Sequence, residues 1–97
     1  MKIVAIHGSP RTTRSITRQL AALVLEGAAE AGAEIEMIDL CDLRVTPCTA
    51  CEGCSINGIC VFEDDVSTLV ERMKDADGIV FASPVYIDNI SGQMKIF

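Results

Sequence analysis

The chain has 97 residues, within the usual size of one domain, and is 49% hydrophobic but only 23% charged, so it has ample apolar surface to bury and is not a disordered tail. Its net charge of −6 argues against a nucleic-acid or anionic-membrane partner. No run approaches the ~18 apolar residues of a membrane span, and Gly8-Ser9-Pro10-Arg11 interrupts the first apolar run too early for a signal peptide.

The charge is unevenly spread. Lys2, Arg11, Arg14 and Arg18 are the only charged residues among the first 25, whereas all 14 acids lie beyond them. A positive N-terminal corner on an acidic chain suggests a site for a small anion; the alternative is chance clustering on a solvated helix face. A cytoplasmic location is expected, where thiols stay reduced, so the five cysteines point to metal or redox chemistry rather than a disulfide framework.

Residues 2–6 form a short apolar run, read as a strand buried on both faces. Gly8-Ser9-Pro10 ends it. Ile16, Leu20, Leu23, Val24, Ala28 and Ala31 then recur at helical spacing, so residues 15–31 are expected to be an amphipathic helix, with Gly32 at its C-terminal end. The intervening segment, Gly8-Ser9-Pro10-Arg11-Thr12-Thr13-Arg14-Ser15-Ile16-Thr17, joins a buried strand to a helix N-terminus. Free backbone N–H groups and the helix dipole make such a position a phosphate cradle, and this one adds hydroxyls and two guanidinium groups. It is neither a dinucleotide fingerprint, since Gly8 stands alone, nor a P-loop, since no Gly-Lys pair occurs. A plain solvated turn with Ser15 as helix cap is the competing reading. His7 is expected to be packed or hydrogen-bonded rather than a phosphate ligand.

Residues 34–40 form a second strand. Glu34, Glu36 and Asp39 alternate with Ile35, Met37 and Leu40, which suits an edge strand. Residues 43–62 read as a loop holding Pro47 and four cysteines, and a loop of that length is usually functional. Cys48, Cys51 and Cys54 are spaced C-x2-C-x2-C, and Cys60 follows. The first three match the opening of a ferredoxin-type cluster run, and with no second set Cys60 can close the same site. Zinc, a C-x-x-C redox pair, a disulfide and uncoordinated thiols remain alternatives. Cys41, outside the motif, is expected to be a small buried apolar residue.

Asp64 and Asp65 open a second helix whose buried stripe is Val66, Leu69, Val70 and Met73, with Arg72 and Lys74 near its end. Residues 79–82 form a third strand, followed by a loop from Ser83-Pro84-Val85-Tyr86 and a helix capped by Ser91. Strands alternating with helices predict an α/β fold with a parallel sheet, order 2-1-3, and helices on both faces. Strands one and three then flank the switch point, so the loops after them face each other across one crevice. Pro84 and Tyr86 would wall a flat ring whose phosphate lies in the first loop, and amides from Val85 onward would meet its polar edge.

Three segments in this order resemble the flavodoxin-like NAD(P)H-dependent FMN reductases and iron–sulfur flavoproteins: Gly8-Ser9-Pro10-Arg11 with Ser15 and Thr17, the four-cysteine loop, and Ser83-Pro84-Val85-Tyr86 with Ser91-Gly92-Gln93 and Lys95. The resemblance implies that Ser9, Arg11, Ser15 and Thr17 hold the phosphate of FMN and that Pro84, Val85, Tyr86 and Asn89 line its ring. It implies a [4Fe-4S] cluster on Cys48, Cys51, Cys54 and Cys60. The implied activity is electron transfer from NAD(P)H or a ferredoxin-like donor through FMN to a small acceptor, with no catalytic acid or base assigned. An electron carrier without its own small substrate and a zinc-stabilised binding module are the competing functions. Because the last helix has barely begun at Phe97, residues 1–97 are expected to be the N-terminal part of a single FMN-binding domain, homo-oligomeric when full length, with a cysteine-rich loop at 43–62. Alone, the segment is expected to be marginally stable and to bind FMN weakly.

Overall fold

The computed structural model describes residues 1–97. Its elements are β1 (Lys2–His7), α1 (Ile16–Glu30), β2 (Glu34–Asp39), a 3₁₀ turn (Leu40–Asp42), α2 (Cys54–Asn57), α3 (Asp65–Lys74), β3 (Gly78–Ala82), β4 (Val85–Tyr86), β5 (Asn89–Ile90) and α4 (Gly92–Ile96). The main sheet has order β2-β1-β3, and both pairings are parallel. The strand order expected from the βαβ alternation is thus observed. No helix is long and apolar enough to cross a membrane.

β1 is central, paired on both edges, and it is the most deeply buried of the three strands. Val4, Ala5, Ile6 and His7 are fully buried. Val4 and Ile6 join Ile38, Leu40 and the α3 residue Leu69 in one core cluster, with Met73, Met94 and Phe97 packed against it. The pleat turns Ala5 and His7 to the opposite face, under α1. β2 is the edge strand, as its charges suggest. Glu36 on its outer part takes Arg72 at 2.9 Å and Lys2 at 3.7 Å, surface pairs of small individual value.

α1, α3 and α4 each begin where a side chain satisfies one of the free N–H groups. The Ser15 hydroxyl accepts from the Arg18 N–H, Asp64 from Val66, and Ser91 from Met94. Gly32, just beyond α1, has φ +94°, the left-handed geometry that ends a helix and favours glycine.

The structure differs from the sequence reading in the facing of α1. Ile16, Leu20, Leu23 and Val24 are exposed, and the residues buried against the sheet are Ala21 and Leu25. Ala21 and Leu25, four residues apart, share the face turned to the sheet. On α3, Leu69 is buried but Val70 is exposed. The segment after β3 is a hairpin: β4 and β5 pair antiparallel through Val85–Ile90 and Tyr86–Asn89. Its tip residues Ile87 and Asp88 have φ +51° and +60°, the signature of a type I′ turn. β3 pairs only with β1, and Phe81 on it is 58% exposed.

Two leucines on α1 test the helix facing. Leu25 is 3% exposed and Leu23 is 61% exposed. Leu25→Ala should cost about 2–5 kcal/mol, and Leu23→Ala less than about 0.5 kcal/mol, in urea unfolding. The reverse ranking would turn the helix over.

Candidate functional site

The first loop is built on a buried polar network. The His7 ring sits at the carboxyl end of β1, register-paired with Asp39 at the end of β2. His7 Nδ1 lies 2.8 Å from Asp39 Oδ1, and Nε2 lies 3.0 Å from Ser15 Oγ. Arg18, one turn into α1, donates to both Asp39 oxygens from Nε at 2.9 and 3.1 Å, and from Nη2 to Oδ2 at 3.0 Å. Burial pushes the Asp39 carboxyl up, but the hydrogen bonds from Arg18 and His7 outweigh it and hold the carboxyl below its ordinary range. The network therefore pins the start of α1 to two strand ends.

His7 is hydrogen-bonded and packed, as expected. Ser9 and Ser15 are also buried, and their hydroxyls are engaged inside the loop. Ser9 Oγ accepts the Arg11 N–H at 3.1 Å, and Ser15 Oγ accepts the Arg18 N–H at 3.1 Å. The Thr12 carbonyl accepts the Ser15 N–H at 3.3 Å. The N–H groups of Thr12, Thr13 and Arg14 have no partner within the chain. Arg11 and Arg14 are exposed, and Thr17 is half-buried. The loop thus presents backbone donors and two cations at the N-terminus of a fifteen-residue helix, the chemistry of an anion cradle.

The second loop is fastened directly to the first. The fully buried Ser91 hydroxyl donates to the Gly8 carbonyl, its N–H donates to Ser83 Oγ at 2.9 Å, and the Gly8 N–H donates to the Ala82 carbonyl at 2.8 Å. A Cβ at Gly8 would lie 3.0 Å from Met94 Cβ and Cε and from Ser91 Oγ, so any larger residue would push the two loops apart by a few tenths of an ångström. Pro84 is half-buried, while Val85, Tyr86 and Asn89 are exposed on the hairpin beside this junction.

The cysteine loop is closed at its base by carboxylates. Asp64 accepts the Thr46 N–H at 2.7 Å, Asp65 accepts the Arg44 N–H at 2.6 Å, and the Asp65 N–H returns to the Arg44 carbonyl at 3.0 Å. The Thr46 N–H, followed by the Val66 N–H, holds the Asp64 carboxyl below its ordinary range. Cys48, Cys51, Cys54 and Cys60 all line one cavity of about 140 Å³, together with Ile96 and Phe97. Two of the sulfurs accept backbone N–H groups: Cys48 from Ala50 at 3.4 Å and Cys60 from Phe62 at 3.5 Å. Ala50 and Glu52, between the cysteines, have φ +58° and +62°.

The donor set therefore suits a thiolate-bound centre, and all four thiols open onto one space. They are not drawn together in this structure: no three His, Cys, Asp or Glu side chains stand close enough to share a metal ion. All five cysteines are free and exposed. This corrects the expectation for Cys41, which lies in the 3₁₀ turn rather than in the core. It opens onto a separate cavity with Leu40, Leu43, Val45, Gln93 and Ile96. Partial desolvation, then the Asp42 and Asp39 carboxylates, push its thiol up.

Asp39 and Arg18 were not singled out from sequence as site residues. The signal was present in the strand order: parallel pairing of two strands of equal length brings their last residues, His7 and Asp39, side by side.

The sheet order and the two joined loops define a flavodoxin-like chain. A model of the family described as NADPH-dependent FMN reductase matches residues 1–97, and the chain belongs to that family. It is 42% identical over 96 residues to an iron–sulfur flavoprotein of Methanocaldococcus jannaschii, covering 99% of this chain and 49% of the relative. It is 40% identical over 95 residues to an iron–sulfur flavoprotein of Methanosarcina thermophila, covering 98% of this chain and 49% of the relative. The chain thus spans about half the length of these relatives. Among solved structures, a flavone reductase is similar at 31% identity and TM-score 0.76, over 99% of this chain and 28% of that one. An FMN-dependent NADH-azoreductase from Bacillus anthracis, solved in complex with FMN, shares the fold at TM-score 0.62 and 22% identity, over 98% of this chain and 52% of that one.

Proposed function

We propose that the chain forms the FMN phosphate site and the cluster-binding loop of an oxidoreductase that passes electrons from NAD(P)H or a ferredoxin-like donor, through FMN, to a small acceptor. The observation that carries this reading is the anion cradle of residues 8–17 fastened by Ser91 to the loop after β3, in a chain of the FMN reductase family. In this reading the free N–H groups of Thr12, Thr13 and Arg14 and the Arg11 guanidinium hold the phosphate, with Thr17 beside them. Ser9 shapes the loop from within, and Ser15 caps the helix beneath the phosphate. Pro84 and Tyr86 confine the ring, and amides from Val85 onward, with Asn89, meet its polar edge. Bound FMN supplies the exchange between two-electron and one-electron chemistry. No side chain of this segment is assigned as a general acid or base.

Cys48, Cys51, Cys54 and Cys60 are the proposed ligands of a [4Fe-4S] cluster, which supplies single-electron relay. The names of the two archaeal relatives support this assignment, as does the cavity that the four thiols share. The N–H groups of Ala50 and Phe62, aimed at Cys48 and Cys60, are the kind of outer contact that tunes such a centre. α4 links the two sites: Ser91 at its start touches the phosphate loop, and Ile96 and Phe97 at its end line the cysteine cavity.

A second reading, an electron carrier serving a protein partner, is favoured by the apolar hairpin tip, where Ile87 is 99% exposed. Steady-state NAD(P)H oxidation with a small quinone or flavin acceptor separates the two. Turnover supports the reductase, and its absence with intact FMN supports the carrier.

Arg11→Ala should weaken FMN binding about ten- to hundredfold, the value of one charge-assisted hydrogen bond, and Arg14→Ala should weaken it less, because Arg11 belongs to the tight turn beside Ser9. Fluorescence titration checks this, and equal affinities would remove Arg11 from the phosphate site.

Protein prepared without oxygen should contain iron and acid-labile sulfide. Alanine at Cys48, Cys51, Cys54 or Cys60 should lower both, while Cys41→Ala should leave them unchanged. Full iron loading in Cys60→Ala contradicts the four-ligand assignment, and zinc without sulfide would identify a zinc-stabilised module instead.

A further inference from the structure

His7 is the single histidine of the chain, fully buried directly beneath the loop read above as a phosphate site. Both ring nitrogens are engaged, and their partners fix which of them carries hydrogen. The Asp39 carboxylate only accepts, so Nδ1, 2.8 Å from it, is a donor. In the neutral ring Nε2 is then an acceptor, and the hydrogen between it and Ser15 belongs to the serine hydroxyl. Ser15 Oγ already accepts the Arg18 N–H. In that state the hydroxyl of Ser15 has no hydrogen left for an anion.

Protonating the ring reverses the polarity of one bond. Nε2 becomes a donor, Ser15 Oγ accepts from it and from the Arg18 N–H, and the serine hydrogen is released to the loop side. We propose that His7 is a positioning residue that couples phosphate binding to the uptake of one solvent proton at Nε2, turning Ser15 into a donor toward the bound anion. The inference rests on the phosphate-site reading of residues 8–17.

The surrounding charges favour this coupling. Asp39 from β2 faces Nδ1, but Arg18 from α1 holds the same carboxylate through three contacts and balances it. Asp42 and Cys41 in the 3₁₀ turn stand near Arg18, and the β3 neighbour in register with His7 is uncharged Ala82. With Asp39 balanced, the incoming anion is the charge that an imidazolium would complement. The coupling is reciprocal: an anion that favours the protonated ring is bound more tightly by it. Arg11 and Arg14 stay charged throughout and add no such dependence.

Nitrogen-15 NMR of this 97-residue chain reads the ring directly, because His7 is its single histidine. Without FMN the ring should give the signals of a neutral imidazole with hydrogen on Nδ1, the tautomer its partners fix. Saturation with FMN should move Nε2 to the protonated position. A ring that stays neutral with FMN bound would overturn the coupling while leaving the phosphate site standing. Failure of FMN to bind at all would remove both.

Sulfate, which does not titrate near neutral pH, supplies an independent arm. Its affinity should rise by up to about tenfold per unit fall in pH, and His7→Gln should flatten that slope. An equal slope in His7→Gln contradicts the inference.

Discussion

The hydroxyl of Ser91 holds the two halves of the site together. A buried hydroxyl must find partners or cost stability, and this one finds them in the Gly8 carbonyl and the Met94 N–H, on separate elements. It caps α4 and joins the end of β1 to the loop after β3. The main-chain bond from Gly8 to Ala82 runs beside it. The junction favours glycine at position 8, where a Cβ would crowd Met94 and Ser91 at 3.0 Å. The orientation of the phosphate loop, the start of the hairpin and the direction of α4 toward the cysteine cavity all follow from this contact.

On the other side of the phosphate loop, Asp39 plays the corresponding part. Its carboxylate gathers Arg18 and His7, and through His7 the cap residue Ser15. The loop is thus braced from β2 as well as from β3, while the N–H groups of Thr12, Thr13 and Arg14 are left without partners in the chain. The cysteine loop is built differently. Its base is clamped by Asp64 and Asp65, but its thiols remain exposed and apart. Clamping holds the base of the loop without drawing the four sulfurs to one point, a contraction that a bound centre itself would supply.

Much of this was legible in the sequence, for local reasons. The three strands stand out as apolar or alternating runs, and Ser15, Asp64 and Ser91 announce the helix starts by capping chemistry. Parallel order 2-1-3 follows from strand and helix alternation. What was not legible depends on fine packing. Helical periodicity marked Leu20 and Leu23 and passed over Ala21 and Leu25, the two residues that the sheet buries. The hairpin was hidden because Ile87-Asp88 lacks the Asn-Gly pair that usually signals a type I′ turn. Asp39 read as an edge-strand charge, since its role requires the register with His7. Cys41 read as a buried thiol, since nothing local distinguishes a strand end from a solvated turn.

The central claim is that the two joined loops bind FMN through its phosphate. Titration of the protein with FMN and with riboflavin, which lacks only that phosphate, tests it most directly. Several charge-assisted hydrogen bonds to one phosphate predict that FMN binds at least about a hundredfold more tightly than riboflavin. Equal affinities for the two flavins would contradict the assignment of residues 8–17 as the phosphate site.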